Sequence, residues 1–140
     1  MEILHEMLAR TTPETIYAAL TEQSGLASWF TTDVHAEAKI GSLVEFKFDK
    51  GERMLRIQII DLVPCRKVQW KLLQGLPGWE HMNALITWSL TPVEWGTIVH
   101  FSHNGWETTD GAFPSVSFKW ATFMSSLKKY GETGTGMPAS

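Results

Sequence analysis

The chain has few of the features that mark secreted, membrane-spanning or nucleic-acid-binding proteins. Its 140 residues include one cysteine, Cys65, which excludes an internal disulfide. The longest apolar runs are far shorter than a membrane span, and the first residues lack the basic start and apolar core of a signal peptide. We therefore expect one cytoplasmic domain with no membrane span.

Positive charge is also scarce. Twelve basic residues face fifteen acidic ones, which gives a net charge of −3, and charged residues make up 19% of the chain. The sequence has no basic stripe, no RNP-like aromatic motif and no zinc-ligand spacing. This composition predicts that nucleic acid is not a partner.

Motifs that hold a catalytic nucleophile, a cofactor or a metal are missing as well. Residues Gly131–Gly136 loosely follow the letters G-x-x-G-x-G, but they end a predicted helix, whereas a dinucleotide loop follows a strand. His100 and His103 lie on opposite faces of one predicted strand, which is poor geometry for a shared metal. We predict no cofactor and no metal site.

What the chain does have is tryptophan, seven in 140 residues: Trp29, Trp70, Trp79, Trp88, Trp95, Trp106 and Trp120. Indole is large and rigid, and its one N–H requires a hydrogen-bond partner when it is buried. A small domain with this many indoles either packs a bulky core or lines a cavity with them. The composition favours a binding site for an apolar or aromatic molecule without naming the ligand.

The first thirty residues predict a strand and two short helices. Residues 2–11 alternate as in a strand. Thr12 is a suitable N-cap and Pro13 suits the first helical turn, so a helix is expected to begin there. A second short helix over 26–30 follows a break at Gly25.

From about residue 32 to 104 the apolar period changes to two, and residues 112–130 return to helical spacing. The alternation slips between Ile59 and Ile60, which indicates a bulge. Short turns between the strands favour an antiparallel meander. We predict an α+β fold, with a curved antiparallel sheet of about six or seven strands around a long C-terminal helix. Residues 1–134 form the domain, and 135–140 are expected to be a flexible tail.

Several local patterns then resemble, in order, those of a known family. They are Thr12-Pro13-Glu14 followed by Ile16, Ala19 and Leu20, then Leu26–Phe30, the stretch from Leu62 to Trp70, Gly96–Trp106, and the spacing of Trp120, Met124, Leu127, Tyr130 and Gly134 in the final helix. Together they resemble the START-like (SRPBCC) superfamily of helix-grip folds, and within it the branch named for the activator of the heat-shock-protein-ninety ATPase. The resemblance implies that a hydrophobic small molecule is held between sheet and helix, and some related branches are cyclases, aromatases or hydrolases.

Bulky inward-facing rings seldom fill a curved space without voids, so we expect a ligand cavity between the sheet and the C-terminal helix. Val99 and Phe101 share a strand face with His103, whose ring is placed to orient a ligand carbonyl or hydroxyl, or to act as an acid or base. A packed aromatic core with a hydrogen-bonded histidine is the alternative. The candidate ligand-binding residues are Trp29, Phe46, Trp70, Trp88, Phe101, His103, Trp120 and Met124.

The leading functional prediction is a carrier or sensor of a small hydrophobic or aromatic ligand, because apolar walls are many and convergent polar groups few. One alternative is a cofactor-free enzyme of cyclase/aromatase or hydrolase type, acting on an aromatic or polyketide-like substrate with His103 or Glu80 as proton carrier. Another is a co-chaperone-like interaction module, which requires an exposed apolar patch. A homodimer formed through Trp95 or Trp106 is also considered.

Overall fold

Seven strands form one antiparallel sheet in this computed structural model, which describes residues 1–140. In chain order they are β1 (Ile3–Ala9), β2 (Asp33–His35), β3 (Leu43–Phe48), β4 (Arg53–Val63), β5 (Lys67–Gln74), β6 (Leu85–Val93) and β7 (Gly96–His103). Strands β2 to β7 form a meander, and β1 joins its β7 edge antiparallel. The helices are α1 (Pro13–Thr21), α2 (Gln23–Trp29) and α3 (Phe113–Thr133). The predicted α+β helix-grip fold is confirmed.

The two short helices meet more closely than the sequence predicts. Thr12 Oγ1 accepts the backbone N–H of Thr15 at 3.2 Å, so α1 is capped as expected. However, Gly25 lies inside α2, and the break falls at Glu22, whose backbone is extended. A Cβ atom at Gly25 would lie 2.6 Å from the Ala19 Cα. Glycine at this position therefore allows α2 to pack closely against α1.

Two register shifts interrupt the pairing of β4 with β5, and the one between Arg56 and Ile57 has no counterpart in the sequence pattern. The register between β4 and β5 shifts between Ile59 and Asp61, which confirms the predicted bulge. Residues Asp49–Gly51 form a short 3-10 turn between β3 and β4, and all three have positive φ.

One face of the sheet and one side of α3 enclose the core. Alternate residues of each strand point inward, as the period of two requires. Fully buried examples are Val44, Phe46, Ile57, Val68, Trp70, Ile86, Trp88, Val99, Phe101 and His103. Helix α3 contributes Trp120, Met124 and Leu127, and it ends at Gly134 in the left-handed conformation. No helix combines the length and hydropathy that a membrane crossing requires.

The segment 135–140, predicted to be a flexible tail, makes several hydrogen bonds to the rest of the domain. Met137 N–H donates to Ser126 Oγ at 2.7 Å. The amide of Ala139 donates to Phe30 O, and its carbonyl accepts from Thr32 N–H. A Cβ at Gly136 would lie 2.5 Å from Ser28 O, so this glycine allows close approach. The tail thus lies against the end of α2, where its backbone finds hydrogen-bond partners.

Candidate ligand-binding site

A pocket of about 290 Å³ lies between α3, the β3–β4 turn and the β5–β6 loop (residues 75–84). Its walls are mainly apolar and aromatic. The apolar lining consists of Phe30, Phe48, Leu55, Leu76, Pro77, Trp79, Val116, Trp120, Phe123 and Ala139. A space of this size, with few polar groups, is at the lower end of the range for small-molecule sites.

Regular structure positions most of these walls. Val116, Trp120 and Phe123 are four and three residues apart, so they share one side of α3. Phe48 and Arg53 are partners in the β3–β4 register, and both side chains therefore point to the same face of the sheet.

The polar lining residues give the pocket a weakly cationic character. Asp49 and Arg53 form an ion pair with each other. Lys119 is exposed and makes no ion pair. Two cations against one anion leave one surplus positive charge near the ligand space.

Most of the candidate residues predicted from sequence lie outside this pocket, in a continuous aromatic cluster. Its ring centroids are separated by 5.5 Å for Phe46–Trp70, 5.6 Å for Trp70–Trp88, 5.7 Å for Trp29–Trp88 and 4.8 Å for Trp88–Phe101. Trp120 is 4.7 Å from Phe101 and is the one predicted residue that also lines the pocket. Met124 borders a separate shallow depression between β1 and α3. A direct ligand contact for the other residues stays a prediction.

His103 points inward as predicted, and it sits beside three indole rings. Its Nδ1 accepts the Nε1–H of Trp120 at 3.1 Å, so the hydrogen-bond network places the ring proton on Nε2. That Nε2 is buried and has no partner. Burial lowers the pKa of His103 to about 4, which keeps the ring neutral at pH 7. Trp79 and Trp106 lie 4.9 and 5.3 Å from the imidazole, centroid to centroid.

Sequence reasoning missed Trp79, because a loop gives no periodic signal. Gly75 permits its placement, since a Cβ there would lie 2.7 Å from Cε3 of the indole. The neighbouring Glu80, proposed as a proton carrier, is exposed and outside the pocket lining. Its own N–H and that of Gly78 lower the pKa of its carboxyl, so Glu80 organises the loop.

The exposed indole of the chain is Trp95, in the β6–β7 turn, with 66% of its surface accessible. Trp106, also considered for self-association, is buried against His103 and Phe113. Its ring is consequently unable to present a surface to a second chain.

A curved antiparallel sheet around a long C-terminal helix, with two short helices after β1 and an apolar pocket beside α3, defines the START-like helix-grip class. Residues 10–132 match the family model described as Activator of Hsp90 ATPase homolog 1-like protein. The chain belongs to this family, as the resemblance in the sequence predicts.

Solved structures with the same fold include one relative of substantial sequence identity. The solution structure of the Aha1 dimer from Colwellia psychrerythraea is 33% identical, with a TM-score of 0.86, and the match covers 97% of this chain and 99% of that one. A protein from Staphylococcus saprophyticus is 18% identical, with a TM-score of 0.83 and coverage of 100% and 98%. DynU16, a putative protein of the dynemicin biosynthetic locus, is 17% identical, with a TM-score of 0.83 and coverage of 96% of this chain and 48% of that one. Comparison with curated protein sequences gives no significant match.

Proposed function

We propose that the protein binds a small apolar or aromatic molecule in the pocket beside α3, as a carrier or sensor. The observation that carries this proposal is a pocket of about 290 Å³ whose walls include Trp79, Trp120 and Phe123. Aromatic walls supply affinity through apolar burial and ring contacts. Few polar groups line the space, so shape decides more of the selectivity than hydrogen bonding does.

A carrier fits this pocket better than a catalyst. Among the lining residues, Asp49 and Arg53 neutralise each other, and Lys119 is exposed. His103 is outside the lining, with Trp79 in contact with both the pocket and the imidazole. The titratable residues of the lining, Asp49, Arg53 and Lys119, are all exposed to solvent. Burial keeps His103 neutral at pH 7, which suits a hydrogen-bond donor to a ligand better than a proton carrier.

The test is to fill the pocket without disturbing the core. Val116→Trp places an indole in the pocket from α3, while Phe118→Trp adds the same group two residues later at a side chain that is 74% exposed. N-phenyl-1-naphthylamine, a neutral aromatic probe, reports binding by its fluorescence. We expect Val116→Trp to weaken probe binding at least about tenfold, equivalent to about 1.4 kcal/mol. Equal binding by both variants would contradict the proposal.

We also propose that the chain self-associates as a homodimer. The Colwellia psychrerythraea relative, 33% identical, is described as a dimer, and Trp95 offers an exposed indole. Sedimentation velocity over a concentration series tests this directly. We expect a dimer that Trp95→Ser dissociates; a monomer at every concentration would contradict the proposal.

A further inference from the structure

Two buried N–H groups beside the pocket lack hydrogen-bond partners. They are Nε2–H of His103 and Nε1–H of Trp106, whose rings lie 5.3 Å apart. Buried donors without partners are uncommon, because each loses its hydrogen bonds to water on folding. Two such groups in neighbouring rings indicate a place where an acceptor would be stabilised.

Trp79 neighbours the rings that carry both donors, and it also lines the pocket. Its ring is 4.9 Å from His103 and 6.4 Å from Trp106, centroid to centroid. A shift of this indole would therefore join the pocket to the two donors. Trp120 donates its Nε1–H to the other ring nitrogen of His103, Nδ1.

The loop that holds Trp79 is attached to the rest of the domain mainly by its side chains. Its backbone hydrogen bonds over 75–82 are internal: Gly75 N–H to Glu80 O, Trp79 N–H to Leu76 O, and Met82 N–H to Trp79 O. The Glu80 carboxylate likewise accepts from Gly78 within the loop. The loop can thus move as a unit without breaking a hydrogen bond to a strand or helix.

We propose that His103 and Trp106 form an acceptor-binding subsite, covered by Trp79, for the carbonyl oxygen of an aromatic ligand. This inference rests on the proposed function. Both donors are neutral, and the cations Arg53 and Lys119 belong to the lining of the existing pocket. A carboxylate beside the donors would lose its hydration without gaining a counter-charge, so a ketone or amide oxygen suits the subsite better.

The aromatic ketone 6-propionyl-2-(dimethylamino)naphthalene is a direct probe of this subsite. Its partner compound is 2-(dimethylamino)naphthalene, which lacks the propionyl group. We expect the ketone to bind more tightly, and we expect it to shift the Trp106 indole resonance in a ¹H–¹⁵N spectrum. Trp88 is the internal control, because its Nε1–H is also buried and unpartnered but its ring packs against Trp29, Trp70 and Phe101, away from Trp79.

Two variants test separately the Trp106 N–H donor and the Trp79 ring that covers the subsite. Trp106→Phe removes one N–H and keeps an aromatic ring, so the ketone should lose about tenfold in affinity and its partner compound almost nothing. Trp79→Ala keeps both donors and removes the covering ring, and it should speed association in stopped-flow measurements. Slower or unchanged association would contradict the proposal that Trp79 moves aside to admit the ligand.

The outcomes distinguish this inference from the function on which it rests. In one outcome, Val116→Trp weakens the binding of both naphthalenes, but the ketone binds no more tightly than its partner compound and does not shift the Trp106 resonance. That result would contradict the subsite and leave the proposed ligand binding intact. If neither naphthalene nor N-phenyl-1-naphthylamine binds the wild-type protein, the proposed function and the subsite both fail. The ¹H–¹⁵N spectrum is recorded on the wild-type chain, so it tests the subsite even if Trp106→Phe does not fold.

Discussion

Two regions of the interior are built from the same kinds of side chain but are filled differently. In the aromatic cluster, Trp29, Trp70 and Trp88 meet neighbouring rings edge-on and are fully buried. In the pocket region, Phe48, Trp79 and their neighbours surround about 290 Å³ of space. The cluster is built chiefly from inward positions of paired strands, whereas turn, loop and tail residues supply much of the pocket wall. Aromatic residues therefore indicate which side chains are buried, but whether a space remains between them depends on whether strands or loops carry them.

The largest effect is expected in the filled region. Trp88 contacts the rings of Trp29, Trp70, Phe101 and Trp120, at centroid distances of 4.8 to 6.1 Å. Trp88→Ala leaves a large cavity among rigid neighbours, and we expect the free energy of unfolding to fall by about 3–5 kcal/mol. Urea denaturation followed by far-ultraviolet circular dichroism measures it. A loss below about 1 kcal/mol would mean that the cluster collapses easily and resembles the pocket region.

The next prediction concerns His103, which lies where the two regions meet. Its folded-state pKa of about 4 is below the usual value in an unfolded chain, so the unfolded state binds a proton first as the pH falls. Stability from this group is therefore complete above about pH 6.5 and is lost towards pH 4. The loss amounts to about 3 kcal/mol.

Urea unfolding of the wild-type protein and of His103→Gln at pH 7 and pH 4 measures this term. Glutamine keeps an acceptor for the Trp120 indole N–H but does not titrate. The stability difference between the two proteins should shift by about 3 kcal/mol between these pH values. A constant difference would show that the imidazole is accessible to solvent, as it would be if Trp79 did not cover it.

The fold was predictable because its signals are local. Thr12 and Pro13 mark the start of α1, and the slip at Ile59 and Ile60 marks the bulge in β4. Gly25 was harder to interpret. Glycine is unfavourable inside a helix, so the sequence predicted a helix break there, yet Gly25 lies within α2. Its role depends on the approach of α1, which no local pattern contains.

The pocket was only partly predictable, for a related reason. Periodicity identifies which residues of a strand or helix face inward, and it correctly placed Trp88 and His103 inside. It does not reveal which inward residues touch one another and which border a space. Trp120 belongs to both groups, and Trp79 comes from a loop whose position depends on tertiary contacts.

A smaller effect is expected where the tail meets the pocket region. Ser126 Oγ donates to Trp29 O and accepts from Met137 N–H, each at 2.7 Å. Ser126→Ala leaves both backbone groups unpaired, and we expect a loss of about 2 kcal/mol in unfolding free energy. Hydrogen exchange should also become faster at Ala139, whose amide bonds to Phe30 O. Unchanged exchange at Ala139 would show that the tail is held independently of Ser126.

The smallest effect is expected at the wall of the pocket itself. Val116 is half-buried and borders space that is already empty of protein atoms, so shortening its side chain removes few contacts. Val116→Ala should lower the free energy of unfolding by less than about 1 kcal/mol, because only part of two methyl groups leaves an apolar environment. Urea denaturation alongside Trp88→Ala makes the comparison direct. A loss approaching that of Trp88→Ala would mean that the pocket closes around Val116 in solution, and that both regions are packed alike.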